Sequence, residues 1–135
     1  MEKLEIINDI KTFGLQVKTF PMGVGEAFEE LIKKTGDSAG ERNYYGISYI
    51  QNGKMIYNAA AEEKRTGEAE KFNYKTFIIE SGDYITEELD DWKTKTNCIK
   101  DIFQKIMDEG KADTAKPAIE WYKNDKEMLC MVKSK

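Results

Sequence analysis

Near its C-terminus the chain reads PAIEWYKNDKEMLCMV. The segment is rich in strand-forming residues, yet Glu120 stands between Ile119 and Trp121. A carboxylate in that setting either points at water or is held inside for its charge. Burial alone raises its pKa, because the ionised form loses hydration, and a cation beside it favours ionisation. The other residue types limit what such an acid can join. The chain has no histidine, which removes Ser-His-Asp and Cys-His catalysis and the commonest zinc ligand. Cys98 and Cys130 lie far apart and match no metal spacing, so they read as small buried apolar residues. No metal and no cofactor is expected, and any chemistry falls to carboxylates, tyrosines or lysines.

The elements that position Glu120 follow from periodicity and turn residues. Residues 4–20 contain the β-type stretches LEII and FGLQV, ended by Pro21. From about Met22 to Lys34, Phe28, Leu31 and Ile32 form one face of a short helix that stops at Thr35-Gly36. NYYGISYIQNGKMIYNAAAEE reads as a hairpin turning at Asn52-Gly53. KTGDSAGER and EEKRTGEAEK read as solvated loops, and KTFIIESGDYI as a further strand. A longer helix is expected from Leu89 to Glu109, with Trp92, Cys98, Ile99, Ile102, Phe103 and Ile106 on its apolar stripe. The acids of TEELDD suit the N-terminal end of that helix, where they meet its dipole. Gly110 ends it, and Pro117 opens a second hairpin.

The order is β-α-β-β twice, which predicts an internal duplication with halves at about 4–64 and 72–133. Laying Tyr45–Ala59 over Ala118–Val132 without a gap puts Tyr49 on Tyr122, Met55 on Met128 and Ile47 on Glu120. KTF recurs at Lys11–Phe13 and Lys75–Phe77. The expected fold is a single α+β domain over residues 1–135, with an antiparallel sheet, two helices, pseudo-two-fold symmetry and a central cleft. Such clefts are the usual place for a small-molecule site.

Strand alternation then gives the cleft lining. Glu120 and Tyr122 share a face, and the ungapped alignment adds Tyr45 and Tyr49 from the first half. A two-residue turn sets Ile56 and Asn58 opposite Tyr49 and Ile47, and the same count sets Leu129 and Met131 opposite Tyr122 and Glu120. A bulge would instead bring Tyr57 inward. Trp92 reads as helix core or pocket rim, and Trp121 as core facing away from Glu120. The run Ala59-Ala60-Ala61 leaves room for a ligand or a facing helix. An acid among tyrosine faces suits an apolar, cationic or planar aromatic molecule, through charge, cation–π attraction and stacking.

The pattern P-x-x-E-x-Y before a hairpin ending in CMV, with YYGISY, GKMIYNAA and ESGDYITEELDDW upstream, resembles the GyrI-like small-molecule-binding domains. These also form the effector-binding part of AraC-type and MerR-type transcription regulators. The resemblance implies a duplicated βαββ fold, and a pocket in which the matching Glu120, with Tyr122, binds cationic lipophilic compounds. It implies a stand-alone member, the first strand starting near residue 4. Some stand-alone members hydrolyse the cyclopropane ring of planar DNA-alkylating natural products. By that alternative Glu120 is the catalytic general base, with Tyr49, Tyr57 or Asn58 as a second polar group. A net charge of −4 with interspersed signs argues against nucleic acid as a direct partner. The sequence has no apolar run long enough to span a membrane and no leader-like N-terminus, so a cytoplasmic protein is expected.

Overall fold

The structure is a computed structural model that describes residues 1–37 and 40–135. Eight strands form one antiparallel sheet: β1 (Glu2–Ile6), β2 (Ile10–Gln16), β3 (Tyr44–Gln51), β4 (Lys54–Glu62), β5 (Lys75–Ile79), β6 (Gly82–Asp90), β7 (Ala118–Tyr122) and β8 (Glu127–Lys133). Three α-helices join them: α1 (Val24–Thr35), α2 (Glu68–Phe72) and α3 (Ile99–Asp108). The sheet order is β1-β6-β8-β7-β3-β4-β2-β5. That order is symmetric about the β7–β3 pair, so the halves are β1-β2-α1-β3-β4 and β5-β6-α3-β7-β8, and each lends its first strand to the other's edge.

Alternation divides the core in two layers. Tyr57, Ala59 and Ala61 of β4 pack with Ala27 and Leu31 of α1. Met128, Cys130 and Val132 of β8 pack with Ile106 of α3. Both helices therefore cover one face. The intervening residues turn the other way, where Tyr45, Ile47, Ala60, Ile119, Leu129 and Met131 form a second core. Leu4 and Ile6 of one edge strand and Phe77 and Ile79 of the other join that same core, so the sheet curls around it.

The first hairpin has the expected register: Asn52 and Gly53 both take positive φ, and Tyr49 pairs with Ile56 and Ile47 with Asn58. In the second hairpin the loop is longer, and Tyr122 pairs with Met128 and Glu120 with Cys130. The expected pairings with Leu129 and Met131 are thus off by one residue. The acidic run expected at a helix start is instead the end of β6, where Glu88 pairs with Leu129 and Leu89 with Met128. Burial of alternate residues and ladder hydrogen bonds outweigh the dipole preference of the acids. The helix is accordingly shorter, and Trp92 sits in a 3₁₀ turn, Trp92–Thr94, before it. KTFIIESGDYI is two strands, β5 and β6. The loop EEKRTGEAEK contains α2, and in KTGDSAGER the residues Ser38 and Ala39 lie outside the described residues.

Candidate functional site

The pseudo-two-fold axis sets the site. Laying the buried stretch Tyr57–Ala61 on Met128–Val132, and Thr12–Gly14 on Tyr84–Thr86, puts Ala59 on Cys130; their ladder partners are Gly46 and Glu120, so those two residues correspond. Gly46 and Glu120 are also cross-strand partners in the β3–β7 ladder, so the axis passes between them. The ungapped alignment matches Glu120 to Ile47; the two hairpins differ in length between corresponding pairs, Gly46↔Ala59 and Glu120↔Cys130, so the structural match is shifted by one on this strand. A Cβ at Gly46 would lie 2.1 Å from the Tyr57 hydroxyl and 2.5 Å from Glu120 Oε1. The missing side chain on β3 is therefore the space into which Tyr57 and Glu120 reach.

There the two tyrosines meet the acid. Tyr57 Oη donates to Glu120 Oε1 at 2.7 Å, and Tyr122 Oη donates to the same oxygen at 2.5 Å. The hydroxyls stand 3.4 Å apart. Among the described residues no donor is bonded to Oε2, and that oxygen is not sealed from solvent. Rings close the surroundings. Phe20 stacks on Tyr57 with centroids 4.7 Å apart. Tyr122 meets Phe28 of α1 edge-on at 5.4 Å and Trp92 at 4.8 Å. Trp92 is fixed by its own indole N–H, which donates to the Asn124 carbonyl at 2.9 Å.

Part of Glu120 remains open to solvent, but protein atoms crowd its carboxyl group. Burial pushes its pKa up, and the hydrogen bonds from Tyr122 and Tyr57 pull only partly back. No lysine or arginine contributes to its charge state among the described residues. Burial, then the adjacent Glu120 charge, drives both the Tyr57 and Tyr122 hydroxyls well above the usual phenol range, so both remain donors. The result is a carboxyl group with one oxygen held by two hydroxyls and the other free, aromatic walls and, among the described residues, no basic partner.

Of the residues read from the sequence, the fold brings Glu120, Tyr122, Tyr57 and Trp92 together. It does not bring Tyr45, Tyr49 or Met131. Tyr45 stacks on Trp121 in the core under the opposite face. Tyr49 shares that parity on β3 and is partly exposed. Met131 is fully buried in that opposite core. Asn58 also turns away, its amide donating to the Ile47 carbonyl. The cause is the one-residue shift between halves: with Gly46 beside Glu120, the face of β3 that looks at the acid is Tyr44, Gly46 and Ser48. Tyr57 is inward without a bulge for the same reason. Sequence reading missed Phe20, Phe28 and Gly46. The signal for Phe20 was available, because the offset that lays β2 on β6 lays Phe20 on Trp92, its counterpart on the other tyrosine.

No family model matches the sequence and no curated protein is similar enough to be counted a relative. Solved structures do share the fold. SAV2435 bound to tetraphenylphosphonium matches with a TM-score of 0.70 and 15% identity, over 100% of this chain and 94% of that one. An integron cassette protein from the mobile metagenome of Vibrio cholerae matches with a TM-score of 0.68 and 14% identity, over 99% and 95%. A hydrolase from Listeria innocua matches with a TM-score of 0.62 and 13% identity, over 99% and 91%.

Proposed function

We propose that this chain is a GyrI-like effector-binding domain spanning residues 1–135, and that it binds lipophilic cations or planar aromatic cations between α1 and α3. The observation that carries the reading is Glu120: an acid held by two tyrosine hydroxyls through one oxygen, with the other oxygen open and, among the described residues, no basic side chain to match it. A ligand cation supplies the missing charge, and the faces of Tyr122 and Trp92 add cation–π attraction of about 0.5–2 kcal/mol each. The neighbour solved with tetraphenylphosphonium supports this ligand class.

Tryptophan fluorescence titrated with tetraphenylphosphonium tests it, because Trp92 lies against Tyr122. Binding is expected to saturate. Glu120→Gln is expected to weaken the cation by roughly 10- to 100-fold, about 1.4–2.7 kcal/mol, and to leave a neutral aromatic of similar shape nearly unchanged. Equal losses for both would overturn the electrostatic role.

A second reading has one observation in its favour: tyrosine hydroxyls stand beside a carboxylate whose pKa is raised and whose Oε2 is free. Glu120 then takes a proton from water as it attacks a cyclopropane carbon, and a tyrosine hydroxyl holds the oxygen that receives the ring electrons. A neighbour named as a hydrolase fits this reading. Repeated turnover of a cyclopropanoid by sub-stoichiometric protein is the expected result; a single turnover or none leaves a binder.

A further inference from the structure

The helix-bearing face of the sheet does not end at Glu120. One step toward the β3–β4 turn, Ser48 pairs with Ala118, both small and half-buried. One step further, Ile50 pairs with Met55. Alternation puts Ile50 on the same face as Gly46 and Ser48, and Met55 on the same face as Tyr57. Both are large and apolar, yet Ile50 is 63% and Met55 51% exposed. The β7 ladder stops at Ser48 and the β2 ladder at Asn58, so the hairpin tip projects past both neighbouring strands. Phe20, stacked on Tyr57 at the head of this strip, is also partly exposed.

Single exposed apolar residues need no explanation. Here they form one strip with a low floor, and the strip begins at a carboxylate with an open oxygen. Continuous apolar surface running into a polar-floored cleft marks a binding surface.

We propose that the site takes elongated amphiphilic cations, with the charged head at Glu120 and an unbranched apolar arm over Ser48 and Ala118, leaving along Ile50 and Met55. This rests on the reading of Glu120 as a cation site. At about 3.3 Å per residue, Ile50 lies about 13 Å along β3 from Gly46, so the strip suits an arm of medium length. A compact cation fills the head position and leaves the strip bare. A protein partner would cover the strip with no need of Glu120.

The test is calorimetric titration of the full chain with alkyltrimethylammonium ions from hexyl to tetradecyl, each below its micelle concentration, with tetraphenylphosphonium in parallel. The affinity is expected to climb about two- to fourfold per methylene and to level off once the arm passes the hairpin tip. The double variant Ile50→Ser, Met55→Ser changes only exposed side chains. It is expected to lose about tenfold for the longest arms, and nothing for the hexyl ion or tetraphenylphosphonium. The inference is overturned if affinity ignores chain length while tetraphenylphosphonium binds, or if both proteins show the same slope. If no cation binds, tetraphenylphosphonium included, the reading of Glu120 fails and takes the arm with it.

Discussion

Two glutamates, buried Glu68 and half-buried Glu120, sit on the same side of the sheet in opposite conditions. The Arg42 guanidinium grips Glu68 with both nitrogens at 2.8 and 2.6 Å, and the backbone N–H groups of Lys64 and Arg65 donate at 2.6 and 2.9 Å. Those contacts, Arg42 first, hold its pKa down at about 2. Glu120 has two neutral donors on one oxygen, and burial carries its pKa upward. A carboxylate whose lone pairs and charge are all matched is structure: Arg42 and Glu68 tie α2 to the segment that leads into β3. A carboxylate left half matched costs stability unless something else completes it. The difference between them separates a clamp from a proposed site.

Breaking the clamp gives the largest effect. Arg42→Met leaves Glu68 buried without its cation and is expected to cost about 3–5 kcal/mol in denaturant unfolding, with cation affinity of the folded protein retained. Glu68 also sets a pH signature. Its pKa is lowered on folding, so its contribution is complete above about pH 4.5 and is lost as pH falls toward about 2. The loss amounts to about 3 kcal/mol. Glu120 has the opposite sign: its raised pKa means that stability falls as pH rises through that pKa. Glu120→Gln is therefore expected to unfold no more easily than the parent at neutral pH. A Glu120→Gln protein destabilised as much as Arg42→Met would make both acids structural and dissolve the contrast.

The next effect comes from Gly46, which holds the place of Glu120 in the other half. Gly46→Ala forces a methyl group against the Tyr57 hydroxyl and Glu120 Oε1. Overpacking of this kind costs about 1–3 kcal/mol, and here the atoms that must yield are those proposed to meet the ligand. Cation affinity is expected to fall more than tenfold in protein that still folds. Unchanged affinity would show that Glu120 does not need the space above β3.

How much of this was legible depends on which residues carry it. The duplication, the Asn52-Gly53 turn and Glu120 itself stand out because each is a local pattern: repeated order, a turn dipeptide, an acid between apolar neighbours. The facing half did not, because its register depends on a loop. The two hairpins differ by loop length, a shift of one residue turns a strand over, and so Tyr45 and Tyr49 exchanged faces with Tyr44, Gly46 and Ser48. Glycine, moreover, signals nothing by type until its neighbours are known. The end of β6 misled for a related reason. TEELDD has the composition of a helix start, but Leu89 is buried in the core under α3 and Thr86 is buried on the opposite face, a tertiary fact that composition does not contain.

The smallest effect is the sharpest probe of the contrast. If Glu120 serves as an anion, cation affinity must rise with pH through its pKa and level off once it is ionised, because the cation binds the charged form better. The hydrogen bonds from Tyr122 and Tyr57 stabilise that charged form. Tyr57→Phe and Tyr122→Phe each keep a ring in the wall and remove one donor. Each is expected to move the midpoint of the affinity–pH curve upward by about one unit, about 1.4 kcal/mol, near the value of one hydrogen bond to a charged group. The plateau at higher pH should return almost to that of the parent, since the stacking surface remains. A variant that lowers the plateau and leaves the midpoint in place has lost wall rather than charge tuning. Equivalent replacement of Tyr44, whose hydroxyl donates to Asp37 at 2.6 Å instead, should move neither. Tyr44 lies on the same face of β3 as Gly46 but serves the clamp side of the molecule, and its indifference would locate the tuning at the two tyrosines that touch the unmatched acid.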